Sequence, residues 1–144
     1  MALWIEVKAR YEKTMENGSQ KRVTEPYLVD ALSCTEAEAR VIDELTPLVS
    51  GDLSVISNKK VNISEIFLDQ EGDRFYKVKV NFITIDERTA VEKKTASYIV
   101  VPAFGFKEAC TNFIDGMRGT MADFEIESIA ETKIVDIFPV KSKE

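Results

Sequence analysis

A chain of 144 residues, 44% hydrophobic and 31% charged, has the make-up of a globular protein long enough to bury a sizeable core. Its formal net charge of −6 disfavours general binding of polyanions and leaves that role only to a local basic face. Histidine is absent, which excludes Ser-His-Asp and Cys-His machinery and histidine-based metal centres.

Residues 3 to 16 alternate as a strand, with Ile5, Val7, Ala9 and Tyr11 on one face and Trp4, Glu6, Lys8 and Arg10 on the other. Glu16-Asn-Gly-Ser19 supplies a turn, because Asn-Gly accepts positive φ at little cost. A return strand is predicted from Lys21 to Ala31, in which Pro26 lacks a ladder donor and marks an edge or a bulge. Thr35 and Glu38 form a capping box, the hydroxyl reaching the N–H three residues on and the carboxylate returning the bond. Ala37, Val41, Ile42 and Leu45 then recur at helical spacing as one apolar stripe. Pro47 frays the last turn and Gly51 closes it. Leu53 to Leu68 reads as extended, broken around Asn58-Lys59-Lys60, and Asp69-Gln-Glu-Gly-Asp73 separates two halves.

The second half repeats the scheme: strand Phe75 to Ile85, turn Asp86 to Ala90, strand Lys93 to Val101, helix Phe106 to Arg118 ended by Gly119, then extended chain from Phe124 to Phe138 with a polar break. Lys141 to Glu144 reads as a frayed tail. Displaced by 71 positions, Tyr27, Leu28 and Val29 fall on Tyr98, Ile99 and Val100, and Trp4, Val7, Lys8 and Tyr11 fall on Phe75, Val78, Lys79 and Phe82. Ile63, Ile66 and Phe67 fall on Ile134, Ile137 and Phe138. The helix matches one residue later, Glu36, Ala37, Ile42 and Asp43 meeting Glu108, Ala109, Ile114 and Asp115, which implies a one-residue insertion before the second helix, undone after it. The expected fold is α+β: a duplicated ββαβ unit, residues 1–70 and 71–140, within a single domain 1–144. Two helices pack on mainly antiparallel sheets, continuous or stacked, and the halves relate by a pseudo-twofold. The plain alternative is that small α+β proteins share such patterns by chance.

Ala31-Leu-Ser-Cys-Thr-Glu-Ala-Glu-Ala-Arg40, the run Val80 to Glu87 and the stretch Gly116 to Ile126 resemble a family of uncharacterised proteins found in Bacteroidetes and their phages. The resemblance covers nearly the whole chain. It implies a small intracellular, phage-borne or bacterial accessory protein and brings no activity, cofactor or catalytic residue with it. Where this chain has Cys34, the family commonly has Phe or a similar apolar residue, which argues against a shared catalytic thiol.

Among chemical readings, Cys34 ahead of a helix could have a lowered pKa, but its neighbours Ala31 and Leu32 are apolar and no base lies near in sequence. Cys34 and Cys110 read as two free thiols. Asp30, Asp43, Asp86, Glu87, Asp115 and Asp136 are candidate acid–base or Mg²⁺ groups, although carboxylates at such places are more often solvated caps and pairing groups. A face of the two first strands is more suggestive: Trp4, Lys8 and Arg10 with Phe75, Lys77, Lys79 and Asn81 would form one aromatic and cationic surface if those strands were neighbours. Single-stranded nucleic acid is held by such surfaces, and Lys21, Arg22, Lys93 and Lys94 extend it. The bland alternative is the wet face of an antiparallel sheet.

The sequence therefore predicts a non-enzymatic binding protein without cofactor or metal, acting on a protein partner or a second copy of itself. Single-stranded nucleic acid is the alternative, and an enzyme using carboxylates or Cys34 stands third. No apolar run reaches the roughly 18 residues of a membrane span and no signal pattern precedes Trp4, so a cytoplasmic location is expected.

Overall fold

The computed structural model describes residues 4–49 and 51–139. The expected tail from Lys141 to Glu144 lies outside them. Over the described residues the chain is mixed α+β, with two α-helices and two four-stranded sheets that are mainly antiparallel. In chain order the elements are β1 (Trp4–Thr14), β2 (Gln20–Asp30), α1 (Cys34–Leu45), β3 (Leu53–Lys60), β4 (Glu65–Ile66), β5 (Arg74–Ile85), β6 (Glu92–Ala103), α2 (Phe106–Gly116), β7 (Asp123–Glu131) and β8 (Asp136–Phe138).

One sheet has the order β3-β1-β2-β8 and the other β4-β6-β5-β7. Two compact units result, one running to Val61 and resuming at Lys133, the other Asn62–Thr132. They differ from the sequence halves 1–70 and 71–140 by two short segments. β4 joins the sheet of the second hairpin, and β8 joins that of the first, each running parallel to its neighbour.

In the first unit the alternation of β1 puts Ile5, Val7 and Ala9 on the helix side, where with Tyr27 and Val29 of β2 they meet Ala37, Val41 and Leu45 of α1. These residues are almost wholly withdrawn from water, and such apolar burial is the main force holding helix to sheet. Because β1 is antiparallel to both β2 and β3, those two run parallel, and α1 crosses over β1 to join them. In the second unit Val78, Val80, Ile99 and Val101 pack with Phe113 of α2, with Met117 that caps its C-terminus and with Phe67.

Helix α1 starts two residues earlier than the capping box expected at Thr35. Ser33 is the N-cap and accepts from the N–H of Glu36 at 3.1 Å, while the Glu36 carboxylate accepts from the N–H of Leu32 at 2.9 Å. Both Ser33-x-x-Glu36 and Thr35-x-x-Glu38 fit the motif; the earlier start satisfies the orphan N–H of Glu36, ties down the N–H of Leu32 just before the cap, and leaves Glu38 to accept from Asn58 at 3.2 Å. Pro47 sits in a short 3-10 turn after α1, where its missing N–H costs nothing. The break expected at Asn58-Lys59-Lys60 falls instead after Lys60, since these residues remain paired with Val7, Glu6 and Ile5. Pro26 lies just before the three residues of β2 that pair with β8, its carbonyl accepting from Val135 at 2.9 Å.

The strand ladders locate the extra residue more closely than the sequence does. Trp4 opposes Asp30 in the first hairpin and Phe75 opposes Pro102 in the second, so β1 and β5 correspond at 71 positions, but β2 and β6 at 72. The extra residue therefore lies in the second hairpin turn, Asp86 to Val91, ahead of β6 rather than between β6 and α2, and the offset returns to 71 positions at β7. Tyr27 corresponds to Ile99 rather than Tyr98; the apolar run Tyr98 to Val101 tolerates a one-residue slip in sequence comparison, but such a slip would turn every side chain to the wrong face. Ile56 is bulged out opposite Lys8/Ala9, and Glu127 is bulged out opposite Lys79/Val80, at matching places.

Candidate functional site

β1 and β5 belong to different sheets, so neither is the other's hydrogen-bonded neighbour and the two first strands do not make one continuous ladder. The predicted site residues are best taken sheet by sheet.

In the first sheet Trp4, Lys8 and Arg10 lie on the β1 face turned away from α1. Trp4 is only 5% exposed, so its ring is unavailable as a stacking platform. Arg10 points its Nε at the Thr24 hydroxyl across the β1–β2 pair, 3.3 Å away, and Glu6 is 4.0 Å from Lys59 on β3. Arg10, Arg22, Tyr11 and Ser54 line a surface groove of about 510 Å³.

In the second sheet Phe75, Lys77, Lys79 and Asn81 share the equivalent face of β5. Its cations are already engaged. Lys79 Nζ is 2.6 Å from Glu127, Lys94 is 2.9 Å from Glu125, and Lys77 sits 4.7 Å above the ring of Tyr98. The hydrogen bond from Lys79 lowers the pKa of Glu127, and the same contact raises that of Lys79. Lys94 is raised likewise by its hydrogen bond to Glu125. The bulge presents Glu127 to Lys79, so backbone geometry and charge pairing come from one irregularity.

Most of the enzyme candidates lie on different elements. Cys34 and Cys110 are free thiols on different helices. Asp86 caps its own turn by accepting from the N–H of Arg88 at 2.8 Å, Asp115 pairs with Arg118 at 3.0 Å, and Asp136 accepts from Ile137 at 2.8 Å. Asp43 and Glu87 are exposed, and Asp30 is half-buried at the end of β2. Among the described residues no group of three or more Cys, Asp or Glu could hold a metal ion. No helix among them is long and apolar enough to cross a membrane.

A group that the sequence reading did not single out gathers on the helix side of the first sheet. The Tyr11 hydroxyl donates a short hydrogen bond to Glu25, and the Tyr27 ring stacks on Phe138 with centroids 5.5 Å apart and planes at 11°. Burial, reinforced by the Glu25 bond, pushes the Tyr11 pKa well up; burial and then the charges of Glu25 and Asp136 raise that of Tyr27. These side chains border a cavity of about 330 Å³. The available signal was the contrast between halves: Tyr11 stands where the second half has Phe82.

The chain belongs to a family described as a domain of unknown function (DUF4494), which it matches over residues 3–140. No curated protein matches it. No solved structure matches it either.

Proposed function

We propose that this member of the DUF4494 family is a non-enzymatic binding protein with a protein partner, serving a bacterial or phage accessory role in the cytoplasm. The observation behind this reading is a pair of apolar side chains at matching places: Leu32, 86% exposed, and Phe104, 56% exposed, each in the short link between a hairpin and its helix. Phe106 and Ile114 extend the exposed apolar surface along the shoulder of α2. Exposed apolar groups on short links between rigid elements suit protein recognition, because little order must be gained on binding. The paired lysines of the second sheet support a protein partner over nucleic acid, since a cation held by its own carboxylate contributes little to phosphate binding. The test is partner capture by the wild type and by the double variant Leu32→Glu/Phe104→Glu, checked by circular dichroism for intact folding. The proposal stands if capture is lost with the fold retained, and native mass spectrometry of the same pair reveals whether a second copy is the partner.

A second reading, single-stranded nucleic acid, draws on the groove bearing Arg10 and Arg22. Fluorescence anisotropy of a labelled oligonucleotide at low and high salt tests it; salt-sensitive binding lost in Arg10→Ala/Arg22→Ala would displace the first reading. Trp4 emission is a poor reporter for that experiment, given its burial.

We also infer that the two ββαβ series descend from one duplicated unit. Support comes from matching bulges at Ile56 and Glu127 and from matching parallel pairs, Tyr27 with Asp136 and Ile99 with Glu65.

A further inference from the structure

We propose that the cavity between the first sheet and the C-terminal end of α1 binds a primary ammonium group carried on an alkyl stem. The cavity, about 330 Å³, is bounded by Tyr11, Glu25, Tyr27, Leu48, Asp136 and Phe138. That volume is at the small end of ligand pockets.

The opening is a departure from what this fold does elsewhere in the same chain. At the corresponding place in the second unit the space is filled by rings: Phe67 stacks on Phe113 at 6.0 Å, Phe113 meets Phe124 edge-on at 6.0 Å, and Phe124 meets Phe82 at 6.5 Å. Gly116 makes room for this filling, since a Cβ there would lie 2.5 Å from the Phe67 ring. By the ladder registers and the matching helix faces, the first unit has Val41 for Phe113, Leu53 for Phe124, Tyr11 for Phe82 and Glu44 for Gly116. Smaller side chains withdraw volume from the interior, and polar ones line the space that is left.

The lining selects the ligand. Glu25 and Asp136 give the wall negative charge, and the hydroxyl of Tyr11 holds Glu25 in place. An ammonium group supplies the donors that carboxylates accept best, and partial exclusion of water strengthens the contact. The stacked Tyr27 and Phe138 rings and the exposed Leu48 provide apolar walls for several methylenes. Lys13 also lines the cavity, one cation against the carboxylates of Glu25, Glu44 and Asp136, so the wall keeps an excess of negative charge.

The chemistry is shared by free amines and by lysine side chains of a polypeptide, and the experiment separates them. The full chain, isotopically labelled, is titrated with n-butylammonium, a diamine, N-acetyl-lysine N-methylamide and the neutral control n-butanol, with nuclear magnetic resonance shifts as the readout. The expected result is saturable shifts at Tyr11, Tyr27 and Val135 with the ammonium compounds, and affinity reduced on the order of tenfold in Glu25→Gln, whose amide oxygen still accepts the Tyr11 bond. Tighter binding of the diamine identifies a free amine as the ligand; tighter binding of the lysine amide identifies a polypeptide. Asp136→Asn provides the same test if Glu25→Gln does not fold. The proposal is overturned by absence of saturable shifts, by equal shifts with n-butanol, or by undiminished affinity in a folded variant. The apolar residues Leu32 and Phe104 take no part in these readouts, so this result is independent of partner capture.

Discussion

Arg40 Nη1 donates to the backbone carbonyl of Asp30 at 2.7 Å, fastening the middle of α1 to the end of β2. Asn112 makes the corresponding bond in the second unit, its amide donating to the carbonyl of Pro102 at 3.0 Å. A guanidinium and an amide thus do the same job, and Arg40 adds a second bond to the carbonyl of Pro139 at 2.6 Å. Charged donors contribute more than neutral ones, so Arg40→Ala is expected to cost about 1.5–3 kcal/mol and Asn112→Ala about 0.5–1.5 kcal/mol. Urea denaturation of the two variants checks the order.

Gly72 approaches the backbone of Ala103 so closely that a Cβ would fall 2.1 Å from its nitrogen. Backbone cannot swing aside as a side-chain tip can, and Gly72→Ala should cost about 3 kcal/mol. Gly116→Ala should cost less, about 1–2 kcal/mol, because the packed Phe67 ring must be displaced while a helical alanine regains up to about 1 kcal/mol over glycine. Thermal melts of the two variants should therefore separate clearly.

The hairpin turns differ in how they reach positive φ. Gly18 does so at 83° without strain, whereas Ala90 is held at 56°. A left-handed alanine costs roughly 1 kcal/mol or more, so Ala90→Gly is expected to stabilise the protein and Gly18→Ala to destabilise it by similar amounts. Paired chemical denaturation curves give both signs in one experiment.

Two phenols, Tyr27 buried and Tyr11 partly so, make stability fall in alkali. A free tyrosine ionises near 10, while folded Tyr11 and Tyr27 are both raised, so the folded state keeps protons that the unfolded state releases. Their contribution is present in full below about pH 10 and is lost as pH rises beyond it. Lys79 and Lys94, also raised, act in the same direction. Tyr11→Phe should flatten the decline above pH 10, and absorbance at 295 nm should show Tyr11 ionising only with unfolding.

Glu127 gives the opposite slope. Its folded pKa is lowered by Lys79, so its stabilising contribution is present above the ordinary glutamate range and is lost as pH falls through the folded value. Glu127→Gln should reduce stability at neutral pH and remove that part of the acid dependence, measured by melts across pH 3 to 7.

Much of the architecture was legible because period-2 and period-3.6 patterns are written plainly around Ile5, Val7 and Ala9 and around Ala37, Val41 and Leu45. The partner of each short strand was not. Ile66 and Ile137 look equally suited to either sheet, and a parallel pair separated by much intervening chain leaves no local signature in two or three residues. The sheet to which each first strand belongs was hidden for a related reason: alternation says which side of a strand Lys8 or Lys79 occupies, but not which strands share a sheet. Pairings such as Lys79 with Glu127 depend on a bulge, which periodicity does not reveal.

The placing of β8 bears on how the molecule is made. A ribosome delivers the hairpin β1–β2 first, yet its sheet lacks an outer strand until Asp136 to Phe138 emerge, whereas the later unit is complete once Thr132 is out. Synthesis order and completion order are therefore reversed, and a nascent chain halted shortly after Thr132 would carry a finished second unit beside a first one still open along the edge of Tyr27 to Val29.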